Sequence, residues 1–166
     1  MEQSEPTRTD LEAELQRFPA SVVNEFQKVQ EFTTEYMGEE GFISWAREGV
    51  AIAQHSFRSW EAASEYFKAT PLLIHRMPLN QLLGWARWGR ALANDSSAIS
   101  SAFFRATPEV LNYISSSDIG QWVNLGRTLY RGTWKSSALC STYFEASPKL
   151  LQHLSFYEME QLVGLI

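Results

Sequence analysis

The sequence predicts an all-α fold, a right-handed α-α superhelix built from about three repeats of 37–40 residues. Three observations predict it. A Trp-x-x-x-Gly signature occurs three times, beginning at Trp45, Trp85 and Trp122 and ending at Gly49, Gly89 and Gly126. After each comes an aromatic pair followed by x-Ala-Thr/Ser-Pro: Tyr66-Phe67 with Pro71, Phe103-Phe104 with Pro108, and Tyr143-Phe144 with Pro148. The signature glycines lie 40 and 37 residues apart. A period of this size marks stacked helical units, each of which needs a neighbour to bury its apolar face. No stretch alternates with period two over a useful length, so no sheet is expected.

The elements follow in order. Residues 1–36 read as an acidic N-terminal helical segment, the remnant of a degenerate repeat. Its helix is expected near Ser21 to Gln30, and residues 1–8 are expected to fray. The repeat array spans 37–166, divided at about 37–77, 78–114 and 115–154, with a partial copy at 155–166. In each copy a first helix carries the Trp. Phe42, Leu82 and Ile119 precede it by three places, and Ile52, Leu92 and Leu129 follow by seven. These steps trace one helical face. Gly inside a helix costs roughly 1 kcal/mol relative to Ala. Its recurrence implies a gap that admits another helix or the indole itself.

Seven places after each Gly stands a hydroxyl (Ser56, Ser96 or Thr133) suited to N-cap a second helix, with Gly132 closing the helix before it. That second helix should bury Ala63, Tyr66 and Phe67, then Ile99, Phe103 and Phe104, then Leu139, Cys140, Tyr143 and Phe144. Thr70-Pro71, Thr107-Pro108 and Ser147-Pro148 read as N-cap and N1 of a short third helix. Leu72, Leu73 and Met77 would face inward from it, with Val110, Leu111, Ile114, Leu150, Leu151 and Leu154 in the later copies. The next Trp helix opens at Pro78, Ser115 or Ser155, and Ser155 with Glu158 has capping-box spacing. In the last copy Met159 and Leu162 match Ile119 and Trp122, while Ile166 falls where Gly should be. That incomplete helix reads as the cut edge of a longer protein.

Composition bounds the function. The 166 residues are 45% hydrophobic and 13% aromatic, enough for one packed domain rather than a disordered chain. One cysteine, Cys140, excludes an internal disulfide and suits a reducing compartment. No stretch approaches the roughly 20 apolar residues needed to span a bilayer, and the first residues are not a secretory signal. A cytoplasmic protein with no membrane partner is the expectation. The net charge of −5 is uneven. Residues 1–40 carry ten acids against three bases, a net of −7, which leaves +2 on the rest. An acidic head of this sort is a solvated face, or it docks on arginines of the body or of a partner.

Few residues suggest chemistry. His55, His75 and His153 lack metal-ligand spacing, and the lone Cys140 completes no zinc pattern. Cys140 takes the repeat position of Ala63 and Ser100, that of a small core residue. The glycines stand alone, so there is no phosphate loop. Asp95-Ser96-Ser97 departs from an adhesion-type metal motif at Ile99 and is better explained by helix capping. No catalytic set, metal or cofactor is expected, and the chain is not expected to be an enzyme. The candidate partner-binding residues are Arg47 and Arg87, two places after Trp, Arg90 and Arg127, one place after Gly, and Trp88. Repetition would line such arginines along one side of the stack, where they either meet acidic peptides or phosphates or form ordinary solvated edges. Lys68 and Arg105 share the place after Phe. Trp60, Trp88 and Trp134 have no repeat counterpart. An exposed one would favour an interface, and a half-buried place at a helix edge is the alternative.

The unit running from Ile114 to Gly126 and from Tyr143 to Leu151 resembles the helical repeats that precede a von Willebrand factor A domain in bacterial proteins of the nitric oxide reductase and rubisco activation types. The resemblance covers about residues 37–166. It implies a scaffold or adaptor segment that cooperates with an ATPase partner in activating a metalloenzyme. The metal site of those proteins belongs to the A domain, so no metal residue carries over. From the residues themselves, the expected function is a non-enzymatic helical-repeat scaffold that binds a protein or peptide. The alternative is a nucleic-acid-binding array that uses the arginine rows, disfavoured by the nearly neutral body.

Overall fold

A computed structural model describes residues 4–55 and 59–165. Among them there are eight α-helices and no strand: α1 (Arg8–Leu15), α2 (Ala20–His55), α3 (Trp60–Leu73), α4 (Leu79–Asp95), α5 (Ser97–Val110), α6 (Ile119–Gly132), α7 (Ser137–Leu151) and α8 (Phe156–Gly164). A 3-10 turn, Ser116–Asp118, leads into α6. The expected cap Ser56 and the terminal Ile166 lie outside the described residues. No helix among those described is long and apolar enough to cross a membrane.

The Trp helices are the second arm of α2, then α4 and α6. The aromatic-pair helices are α3, α5 and α7. Within a copy the two pack face to face, and α3, α5 and α7 also pack on one another in sequence, as α2 does on α4. Trp45, Trp85 and Trp122 are buried in equivalent surroundings. Each indole N–H donates to the hydroxyl before the Pro: Trp45 Nε1 to Thr70 Oγ1 (2.9 Å), Trp85 Nε1 to Thr107 Oγ1 (3.0 Å) and Trp122 Nε1 to Ser147 Oγ (2.9 Å). The hydroxyls in turn donate to the carbonyls of Tyr66, Phe103 and Tyr143, one helical turn back. A buried indole leaves no polar atom unpaired in this arrangement.

These bonds correct the expectation of a separate third helix. Thr70, Thr107 and Ser147 cap nothing, and Pro71, Pro108 and Pro148 lie inside α3, α5 and α7. Each Pro falls two or three residues before its helix ends, where one missing i−4 bond does little harm. The segment read as a short helix is the last turn of the helix before it. Leu72, expected inward, is 60% exposed, and Leu139 lies at the edge. Leu73, Met77, Val110, Ile114 and Leu151 are buried as expected.

The glycine gap is also real, but a phenylalanine ring fills it. A Cβ on Gly126 would stand 2.6 Å from Phe144 Cζ, and Cβ atoms on Gly49 and Gly89 would overlap the rings of Phe67 and Phe104. The first aromatic of each pair reaches forward instead. Tyr66 packs on Trp85 and Phe104 of the next copy, and Phe103 packs on Trp122 and Phe144. Phe26 makes the same contacts with Trp45 and Phe67, 5.8 and 5.4 Å between ring centroids. It stands 40 residues before Tyr66 and is the surviving aromatic of the degenerate copy. A continuous chain of rings therefore runs from Phe26 to Phe144.

Residues 1–3 of the stretch expected to fray lie outside the described residues, and α1 begins at its end, at Arg8. Thr7 and Asp10 form a capping box at α1, and those hydrogen bonds hold the Asp10 carboxyl below its ordinary range. Arg8 donates to Glu12 and Thr34 and lies 4.2 Å from the centre of the Phe42 ring. The degenerate helix extends beyond Gln30. It continues to Gly38, whose φ of 75° breaks α2 into two arms, a conformation that favours glycine.

Of the expected caps, Ser96 precedes α5 and Ser155 forms its capping box with Glu158. Thr133 does not cap α7; it ends α6, and Ser136 caps α7 by accepting from Leu139 N–H. Between them Trp134 and Lys135 have φ of 57° and 60°. The Lys135 N–H donates to the Tyr130 carbonyl, so Trp134 takes the left-handed place past a helix end that Gly usually holds. Its side chain is 98% exposed and offsets none of that strain by packing. Trp134→Gly should therefore raise stability by up to about 1 kcal/mol, a gain limited by the freer unfolded chain. Thermal unfolding checks this, and a lower midpoint would mean the indole is held by contacts.

Candidate interaction surface

The five candidate residues lie on the Trp helices. Arg47 is exposed on α2, with no ion pair among the described residues. Arg87 and Arg90 of α4 converge on Glu48 of α2, at 3.5 and 3.0 Å. Glu48 is 9% exposed, while both arginines remain largely in solvent. The Arg90 contact lacks hydrogen-bond alignment, and Glu48 Oε2 accepts no hydrogen bond. Arg127 of α6 pairs with Asp95 of α4 at 3.3 Å. Three of the four arginines of the expected row thus already face carboxylates that tie one repeat to the next.

Trp88 lies half-buried in the seam between α4 and α6, at the edge expected for an unmatched Trp. Its ring lies over Gly120, where a Cβ would stand 3.4 Å from Trp88 Cζ2. With Gln81, Gly84, Ser116 and Gly120 it lines a cavity of about 230 Å³. The Ser116 hydroxyl donates to Gln81 Oε1 across its wall.

The aromatic-pair helices carry a second charged network. Arg105 of α5 bridges Glu61 (3.0 Å) and Glu65 (3.4 Å) of α3 and Glu145 (3.3 Å) of α7. A cavity of about 360 Å³ opens beside it, lined by Ala102, Ala106, Glu109 and Pro148 as well as Arg105 and Glu145. The repeat register places Arg105 correctly. It does not show that three carboxylates from two neighbouring helices would gather on it.

The Cys140 thiol is buried and donates to the Gly126 carbonyl at 3.2 Å. Burial pushes its pKa up to about 12, with the Asp95 charge adding to the shift, so it stays protonated near neutral pH. Burial also raises Tyr66 well above the ordinary tyrosine range, helped by Glu48, and raises Tyr143. Both phenols donate to carbonyls of the facing Trp helix, Tyr66 to Trp45 at 2.8 Å and Tyr143 to Trp122 at 2.9 Å. Asp95 is held by Arg127, and no group of three or more His, Cys, Asp or Glu among the described residues could hold a metal ion. No protein-family model matches the chain, and no curated protein or solved structure is significantly similar to it.

Proposed function

We propose that the chain is a non-enzymatic helical-repeat scaffold, a right-handed α-α superhelix that binds a protein or peptide in the cytoplasm. The observation that carries this reading is the use of the repeated residues. Each signature Trp, Gly, aromatic pair and Thr/Ser-Pro acts in packing one helix on another, through the same indole–hydroxyl bond and the same ring-over-glycine contact. Stacked repeats of this kind present an extended surface that suits a protein or peptide partner. The single buried, protonated cysteine suits a reducing compartment.

Capture with the whole chain tests the reading. The immobilised protein should retain one partner protein in stoichiometric amount, and the complex should survive nuclease treatment. Loss of the partner after nuclease, or retention of the chain itself on a nucleic-acid column at low salt, would replace the protein partner with a nucleic acid.

A further inference from the structure

The acidic head packs on the body through its apolar face, and Glu14 accepts a hydrogen bond from Gln54, but among the described residues its ion pairs join only Arg8 to Glu12 and Glu39, and Lys28 to Glu25, all within residues 1–40. Along one exposed side of α2, Glu31 and Glu35 alternate with Phe32 and Tyr36, each pair one helical turn apart. Like charges at that spacing destabilise a helix, and the nearest base in sequence, Lys28, is turned to Glu25 instead. The two aromatics are 40% and 51% exposed. They flank His75 edge to face, with centroids 5.8 and 4.7 Å away. Phe32, Glu35, Tyr36 and His75 line an open notch of about 340 Å³. Tyr36 is also the wall of a second, apolar hollow of about 120 Å³, formed with Met37, Ile74, Met77, Leu79 and Leu82 where Gly38 breaks α2. Arg76, next to His75, is turned away onto the Pro108 carbonyl and Asn112.

We propose that this groove at the α2 break docks a basic amphipathic segment of a partner protein. An apolar anchor of that segment seats against Tyr36 and Leu79, and its Lys or Arg side chains meet Glu31 and Glu35. The inference rests on the scaffold reading and names the surface and the partner chemistry. An anchored helix or strand with one charged flank fits an apolar hollow that shares Tyr36 with a notch lined by Glu35, one turn from Glu31, since the hollow supplies affinity and the carboxylates supply orientation and rate.

The test titrates the whole isotope-labelled chain with two synthetic amphipathic peptides of equal length. Both carry a Trp anchor, one with Lys and Arg on its polar side and the other with Glu. The basic peptide should shift amide signals in segments 31–37 and 74–82, and added salt should weaken it. The exposed double variant Glu31→Lys/Glu35→Lys should weaken it by about tenfold or more, and Tyr36→Ala should reduce it as well. Equal binding of the Glu peptide, unchanged binding by the double variant, or no binding at all would overturn the proposal. Shifts confined to another face, such as that of Arg47, would overturn this surface and leave the scaffold reading standing. Loss of the captured partner to nuclease would remove the scaffold reading independently of either peptide.

Discussion

Trp85→Ala is expected to destabilise the protein by about 3–5 kcal/mol, the range for truncating a buried aromatic side chain. The indole is 1% exposed and stands between rings of two copies, 5.3 Å from Tyr66 and 5.0 Å from Phe104. Its removal opens a cavity in the middle of the ring chain, where neither neighbour can collapse without leaving its own partners. The loss also strips Thr107 of its indole donor, although its hydroxyl keeps the Phe103 carbonyl. Trp85→Phe separates the two effects. It retains most of the apolar contact and deletes the N–H, so it should cost roughly 1–3 kcal/mol. Denaturant unfolding of both variants checks the order. Midpoints equal to that of the parent would place Trp85 outside the core and dissolve the repeat register.

The same contact explains what could be read from the residues alone. Large apolar residues three places before and seven places after Trp45, Trp85 and Trp122, with Gly four places after, follow helical geometry, which is local, so the Trp helices and their buried face were legible. The role of Thr70, Thr107 and Ser147 was not. A hydroxyl before Pro looks locally like a helix start, and only the partner indole shows otherwise. That indole is 25, 22 and 25 residues earlier in the three copies. The shorter middle interval reflects the same three-residue trim that separates the copies, so the pairing leaves a trace in sequence once its geometry is known. Phe26 was hidden for a different reason. Its copy has Gln27 where the second aromatic belongs and Glu31 where Pro belongs, so one ring is all that remains of the pattern.

Surface features were legible in part. The arginines could be placed on the Trp helices by register. Their neutralisation could not, because Glu48 lies on a different helix and Asp95 lies at the helix end read as a cap. The acid–aromatic stripe from Glu31 to Tyr36 shows in the i, i+4 spacing, but its hollow is built with Leu79 and Ile74 from a distant corner. Spacing describes one helix, and a groove needs two.

Gly89 offers the sharper experiment, because α4 contains its own control. Gly84 lies five residues earlier in the same helix, and a methyl group added there would meet nothing within 4 Å, whereas a methyl on Gly89 would enter the Phe104 ring. Replacing Gly by Ala in an open helical position gains up to about 1 kcal/mol of helix propensity, so Gly84→Ala should stabilise the protein. Gly89→Ala receives the same propensity but must displace a ring that is packed against Trp85, Tyr66 and Phe103. Overpacking of this kind costs typically about 1–3 kcal/mol, so the sign should reverse. Gly89→Leu forces the two helices apart and should cost more again, enough to threaten folding. Glu48→Leu should be milder than Gly89→Leu. It removes a nearly buried carboxylate whose Oε2 accepts no hydrogen bond, and it leaves behind two arginines that solvent already reaches. Opposite shifts in unfolding midpoint for the two alanine variants would establish that ring-into-glycine nesting sets the spacing of the copies. Equal shifts would mean that Phe104 yields freely and that the recurring glycine serves some other contact.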